Sequence, residues 1–119
     1  IIAPSNPLVS IGPILAISEI FSAIQSRRES TVAISPIVGG LALKGPADRL
    51  MRELGHEPSV VGVARLYKDF AGTLVIDNID ESHRTAIEAL GMRCVVTDTV
   101  MSSPTISASL ASTVLNVES

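Results

Sequence analysis

Residues 73–97 read TLVIDNIDESHRTAIEALGMRCVVT, and this stretch decides the fold class. Its two ends, 73–77 and 93–97, are short runs rich in β-branched residues, which favour strands. Residues 81–90 between them carry a helical pattern, and Gly91 follows where a helix commonly ends. Two strands joined through one helix run parallel, because such a crossover brings the chain back in the same direction. The stretch therefore predicts a β-α-β unit.

The same alternation continues over the rest of the chain. Strand patterns cover 1–3 and 31–35, and helix patterns cover 18–28, 46–54, 59–69 and 103–116. This order predicts an α/β fold, Rossmann-like and three-layered, with a mostly parallel sheet and helices on both faces. The core should be aliphatic, because hydrophobic residues make up 46% of the 119 residues and aromatic residues only 3%. We interpret residues 1–119 as one continuous portion of a single α/β domain.

Composition argues against several classes of function. The net charge is −3 and the 9 Lys and Arg residues are scattered, so no basic face for nucleic acid is expected. The single cysteine, Cys94, excludes an internal disulfide framework, and its apolar neighbours predict a buried, unreactive thiol. No apolar run approaches the roughly 18 residues of a membrane span, and no signal-peptide pattern is present. We therefore expect a cytoplasmic protein without a membrane partner.

Ligands of an open parallel sheet bind outside the carboxyl ends of its strands, which directs attention to four loops. They are residues 4–13, 35–46, 77–81 and 97–103. In the first loop, Ser5, Asn6 and Ser10 could donate hydrogen bonds to an anion or a carbonyl group. Alternatively, these side chains only form turns with their own backbone.

The second loop contains Gly39 and Gly40, followed by Lys44 and then a helix start. Flexible backbone, a lysine and the free amides of a helix N-terminus partly resemble a phosphate-binding loop. The spacing differs from that of a Walker A loop, and no Ser or Thr follows the lysine. The alternative is a crossover that needs glycine for its backbone, with a solvated lysine.

Acidic residues follow the third and fourth strands. The segment 77–81 carries three carboxylates that could bind a hard cation, although helix capping by Asp80 is the preferred interpretation. Asp98 could bind a metal ion or a substrate hydroxyl, or it could stabilise its turn. His56 and His83 have no neighbouring Ser and Asp that would suggest a catalytic triad. No catalytic residue is assigned.

Together, these loops closely resemble those of the 2-phospho-L-lactate transferases of deazaflavin coenzyme biosynthesis. The stretches that carry the resemblance are APSNPLVSIGPIL at 3–15, VAISPIVGGLALKGPADRLMRELG at 32–55, VIDNIDES at 75–82 and IEALGMRCVVTDTVM at 87–101. The resemblance implies that the chain is the C-terminal portion of a larger protein, with the phosphate loop and the acidic metal-linked motif of the family upstream. The abrupt start at Ile1, within a strand pattern, agrees with this interpretation.

The resemblance also implies an activity in coenzyme F-420 biosynthesis. Such an enzyme transfers a phospholactyl or phosphoenolpyruvyl group from a guanosine diphospho donor to the deazaflavin Fo, releases GMP and uses Mg²⁺. Ser5 and Asn6 would contact donor or acceptor, and Gly39, Gly40 and Lys44 would form the diphosphate side. A homodimer is possible, and the isolated chain is expected to be inactive. The alternatives are a non-catalytic regulator of the same fold that binds nucleotide sugars, and a purely structural lobe.

Overall fold

The computed structural model describes residues 1–42 and 45–117, which alternate between strands and helices as the sequence predicts. The strands are β1 Val32–Ile34, β2 Ile37–Val38, β3 Leu41–Ala42, β4 Thr73–Asp77 and β5 Arg93–Thr97. The α-helices are α1 Gly12–Leu15, α2 Ser18–Gln25, α3 Ala47–Glu53, α4 Val60–Tyr67, α5 Arg84–Ala89 and α6 Pro104–Leu115. A π-helical turn covers Pro7–Ile11, and 3-10 turns cover Arg28–Ser30 and Asn78–His83.

The main sheet has three strands in the order β1-β4-β5, and both pairs are parallel. Val32 is opposite Thr73 at one end, and Asp77 is opposite Thr97 at the other. The predicted first strand is reduced to a parallel bridge between Ile2 and Ala33. The predicted strands at 31–35, 73–77 and 93–97 are therefore confirmed in position and direction, and β4 lies in the centre.

Helices cover both faces of this sheet, which confirms the three-layer prediction. On one face, Leu74 and Ile76 of β4 pack with α3, α4 and α5 through residues such as Met51 and Ile87. On the other face, Val75 packs with Leu110 and Val114 of α6. Alternate residues of β4 belong to opposite clusters because successive side chains of a strand point to opposite faces.

The first predicted loop, 4–13, is largely helical, and this prediction was wrong. Asn6 caps the turn Pro7–Ile11, which leads directly into α1. Pro7 stands at the first helical position, where its fixed φ and missing N–H cost nothing. Leu8 and Ile11 pack against the main core cluster. Burial of these side chains therefore stabilises a helical turn where the Pro and Gly content predicted a loop.

The second predicted loop contains a β-hairpin formed by β2 and β3. Gly39 and Gly40 are its two turn residues, with φ of 61° and 82°. A two-residue hairpin turn of this kind needs positive φ at both positions, which glycine adopts without strain. The third segment also differs, because Asp77 caps the turn Asn78–His83, where Asp80 was expected to be the cap.

Among residues 1–42 and 45–117, no single helix is long and apolar enough to cross a membrane. Within those same residues, one consecutive pair, Pro7–Leu15 and Ser18–Gln25, reaches that length and composition when both are counted together, and the pair bends by 96°.

Candidate functional site

A cavity of about 510 Å³ opens at the carboxyl ends of β1 and β5. This is the edge at which an open parallel sheet receives its ligands. Its lining combines apolar and small uncharged polar side chains: Pro4, Ser5, Asn6, Ser10, Ser35, Pro36, Val38, Ala47, Thr99, Val100 and Met101. None of these residues is charged. The cavity therefore offers hydrogen bonds and apolar contact, but within the described part of the chain it offers no countercharge.

One wall is formed by Ser5, Asn6 and Ser10, and their role in substrate binding stays a prediction. The Oδ1 atom of Asn6 accepts hydrogen bonds from the backbone N–H groups of Leu8 at 3.0 Å and Val9 at 3.1 Å. The side-chain oxygen of Asn6 is thus used by the cap, as the turn alternative anticipated. Within the described residues, no acceptor is bonded to its Nδ2 group, which leaves two donors for a ligand.

The opposite wall begins where β1 ends. The Ser35 amide donates to Val75 O at 2.9 Å, which continues the β1–β4 ladder by one residue. Its hydroxyl bonds the backbone of Ile37 in both directions, donating to the carbonyl and accepting from the amide. Pro36 and Val38 complete this wall. Sequence reasoning did not single out these residues, although Ser35 stands directly at a predicted strand end.

The third side of the cavity is the segment Thr99–Met101, which follows β5. Thr99 is held by the buried carboxylate of Asp77, whose Oδ1 accepts from the Thr99 amide at 2.9 Å and its hydroxyl at 3.1 Å. The other oxygen of Asp77 accepts from the Ile79 amide at 3.1 Å. Thr99 was also missed at the sequence level, because its contact depends on a residue 22 positions away.

The pKa of the Asp77 carboxyl lies below its ordinary value. Burial acts to raise the pKa of this carboxyl, but the N–H groups of Thr99, Ile79 and Val100 and the Thr99 hydroxyl act to lower it. The pKa is lowered overall, because these donors stabilise the charged form. Asp77 therefore remains an anion that holds the Thr99 loop.

The lowered pKa predicts how stability depends on pH. Between the folded pKa of Asp77 and its unfolded value of about 3.9, the unfolded state binds more protons. The stabilisation is complete above the unfolded pKa and is lost as the pH falls through the folded pKa. We expect Asp77→Asn to flatten this acidic part of the profile in denaturant titrations between about pH 2 and pH 5. Glu81→Gln, at an exposed neighbour, is the control, and equal flattening in both variants would contradict the assignment.

The glycine pair lies apart from the residues that line the cavity. Gly39 and Gly40 are at the hairpin turn, next to the lining residue Val38, and the Gly39 amide donates to Asp80 Oδ2 at 3.0 Å. The predicted partner Lys44 lies outside the described residues. The diphosphate role assigned to Gly39, Gly40 and Lys44 therefore stays a prediction, and the Gly39 amide is already bonded to a carboxylate.

The described residues do not by themselves fit a metal ion. In residues 1–42 and 45–117, no group of three or more His, Cys, Asp or Glu side chains is arranged to hold one. The exposed candidate Asp98 accepts from the Val100 amide at 3.2 Å, which is the turn-stabilising alternative. Asp77 and Asp80 are bonded to the Thr99 and Gly39 amides.

Cys94 lies in β5 and is not among the residues that line the cavity. The residue is 4% exposed, and burial is the main cause that raises the pKa of its thiol to about 11. A thiol with such a pKa is protonated at neutral pH and is a poor nucleophile. The prediction that Cys94 is a buried thiol is confirmed.

Comparison with known proteins assigns the chain to a family. The model of the family described as 2-phospho-L-lactate transferase CofD matches residues 1–113. A 2-phospho-L-lactate transferase of Methanosarcina barkeri is 39% identical over 117 residues, which cover 98% of this chain and 37% of that relative. Proteins of the same name from Methanocaldococcus jannaschii and Methanococcus maripaludis are 42% and 50% identical over 101 and 80 residues.

These two alignments cover 85% and 67% of this chain, and 31% and 25% of the respective relatives. The chain thus spans little more than a third of the length of the curated relatives that it matches. The match nevertheless includes all the elements that surround the cavity, from the Asn6 cap to the segment after β5. The chain belongs to the 2-phospho-L-lactate transferase CofD family.

Proposed function

We propose that the protein containing this chain is a 2-phospho-L-lactate transferase, and that the chain supplies one side of its active site. The observation that carries the proposal is that the family match includes every residue lining a cavity at the carboxyl edge of a parallel sheet. The donor would be a guanosine diphospho derivative of lactate or enolpyruvate, and the acceptor the deazaflavin Fo. We place the reaction in the cytoplasm and in coenzyme F-420 biosynthesis.

In the proposed reaction, a ribityl hydroxyl oxygen of Fo attacks the phosphorus that carries the lactyl or enolpyruvyl group. A new P–O bond forms, the P–O bond to the GMP moiety breaks, and the hydroxyl proton is released. Phosphoryl chemistry of this type depends on in-line positioning and on stabilisation of charge at the phosphate oxygens. The protein therefore has to align an uncharged alcohol with a charged diphosphate.

The residues of the cavity fit the positioning part of this task. The Nδ2 group of Asn6 and the hydroxyls of Ser5 and Ser10 are small donors along one wall. Thr99 and Ser35 are held rigidly by hydrogen bonds on the other sides. Uncharged donors can bind phosphate oxygens, but each contributes less than a charged partner. The described lining residues would thus orient the donor without neutralising it.

Charge neutralisation would come from outside the described residues. Mg²⁺, which the resemblance implies, would neutralise the diphosphate when it is bound. The described residues form no site for it, so its ligands would lie in the remaining length that the relatives have. Lys44 is a second source of positive charge. Because the Mg²⁺ ligands would lie outside this chain, we expect that the 119-residue chain alone does not catalyse the transfer.

The direct test compares the complete encoded protein with the isolated chain. We expect the complete protein to release GMP from the guanosine diphospho donor only when Fo and Mg²⁺ are present. The isolated chain should release none. Release of GMP by the isolated chain would overturn the divided site. A complete protein that binds nucleotide sugar without turnover would favour the regulatory alternative. Light scattering of the same sample would show whether the complete protein is a homodimer.

A further inference from the structure

Two carboxylates on one short segment hold both sides of the cavity. Asp77 ends the central strand β4, and Asp80 follows in the 3-10 turn Asn78–His83. Asp77 accepts two hydrogen bonds from Thr99, in the segment after β5. Asp80 accepts from the Gly39 amide, in the hairpin after β1. Because β4 lies between β1 and β5, the segment that follows it can reach the loops of both neighbours.

We propose that Asp77 and Asp80 form a pair of positioning residues that hold the β2–β3 hairpin and the segment 99–101 at the separation that the phosphate-containing substrate requires. The assignment to that substrate rests on the proposed function, whereas the coupling of the two walls does not. Neither carboxylate lines the cavity, and Asp77 and Asp80 are only 9% and 5% exposed. They would therefore act through Thr99 and Gly39 without contact with the substrate.

Packing holds the start of the β2–β3 hairpin, where Ile37 belongs to the main core cluster, more firmly than its turn. Its strands β2 and β3 are two residues each, and an isolated two-stranded hairpin is marginal in water. Ile37 is buried, but Leu41 is 62% exposed. The bond from the Gly39 amide to Asp80 spans 41 residues and ties the hairpin turn to the 3-10 turn that follows β4. Loss of that bond should allow the turn to move and should shift the neighbouring lining residue Val38.

The segment after β5 depends on Asp77 in a similar way. Residues 98–102 form no helix or strand, so the backbone there lacks a ladder of its own. The Asp98 carboxylate accepts from the nearby Val100 amide, which shapes the turn but does not anchor it to the sheet. Asp77 supplies the anchor through Thr99, which is itself 5% exposed. Each wall thus has its own carboxylate, and the two carboxylates share one segment.

Hydrogen exchange of the complete encoded protein, followed by mass spectrometry of peptides, tests this arrangement without any assay of activity. We expect Asp80→Ala to raise exchange in 36–42 by about tenfold or more, because a bond to a charged acceptor is lost. The segment 97–103 should change little. Asp77→Ala should show the opposite pattern. Glu81→Ala is the control, because this substitution removes the same charge at an exposed neighbouring position. Uniform acceleration in both segments, or none, would overturn the proposal.

A kinetic readout separates positioning from general destabilisation. Asp80→Asn keeps an acceptor oxygen for the Gly39 amide, and it should restore the exchange pattern and the kinetics that Asp80→Ala loses. In Asp80→Ala we expect KM for the donor to rise about tenfold with a smaller change in kcat. An unchanged KM despite a loosened hairpin would contradict the positioning role. A wild-type protein without transferase activity would refute the proposed function, while the exchange data would still decide the coupling.

Discussion

Replacing Asn6 with aspartate should leave the protein folded but lower kcat/KM for the guanosine diphospho donor by about a hundredfold. The two side chains have the same shape, and both are good helix caps. Aspartate keeps an oxygen for the amides of Leu8 and Val9. It replaces the Nδ2 donor, which has no acceptor within the described residues, with an anionic oxygen beside the cavity. A phosphate would then meet repulsion where it previously met two donors.

Two control variants make this result specific. Asn6→Ala removes the cap as well, so we expect it to lose about 1 kcal/mol of unfolding free energy in addition to activity. Gln25→Glu makes the same exchange of amide for carboxylate at an exposed position of α2, outside the cavity lining, and should keep wild-type kinetics. Steady-state kinetics and thermal unfolding of the complete protein are the measurements. Wild-type donor kinetics in Asn6→Asp would exclude a role of Nδ2 in binding.

Gly62→Ala should lower the free energy of unfolding by about 3 kcal/mol or more. This is the largest effect on stability that we expect from a single substitution. Gly62 lies inside α4, where a Cβ atom would overlap the carbonyl oxygen of Glu57. It would also lie 3.2 Å from the methyl carbon of Met51. The Met51 side chain can move, but the Glu57 carbonyl belongs to the backbone that leads into the helix.

Helix propensity alone predicts the opposite sign for this substitution. Alanine is favoured over glycine by about 1 kcal/mol in a helix interior. The clash outweighs the gain in helix propensity because the added Cβ atom fits only if the turn before α4 moves. In that turn, the Ser59 hydroxyl accepts a hydrogen bond from the Gly62 amide at 3.1 Å. Movement there weakens the cap as well as the packing.

Denaturant unfolding measures the effect, and Gly91→Ala is the matched control. Gly91 has a φ of 88° but nothing within 4 Å of an added Cβ, so only backbone strain of about 1 kcal/mol is expected there. A Gly62→Ala protein that is as stable as the wild type would show that the turn adapts to the added methyl group.

The strands that form the sheet could be predicted from local pattern, whereas the conformation of the loops around the cavity could not. The stretch 4–13 has the proline and glycine content of a turn, yet Asn6 and Pro7 are equally suited to begin a helix. Packing of Leu8 and Ile11 on the core selects the helix. The decision thus depends on tertiary contacts that the local sequence does not contain.

The glycine pair lies in a local sequence pattern that predicts a β-hairpin. Gly39 and Gly40 stand between two apolar pairs, which is a recognised hairpin pattern. Lys44, which follows in the sequence, favours a phosphate loop instead. In the structure, β2 pairs with β3, and the Gly39 amide is bonded to Asp80. Local turn chemistry was the better guide to the backbone here, while the role of the pair in binding is a separate matter.

By itself, the sequence determined the strands of the main parallel sheet, the helices between them and the aliphatic core. These properties follow from the hydrophobic periodicity and the residue propensities within short windows of the sequence. The tertiary structure alone decided which side chains line the cavity and how its walls are held. The bonds of Asp77 to Thr99 and of Asp80 to Gly39 span 22 and 41 residues. Such partners meet only because β4 pairs with both β1 and β5.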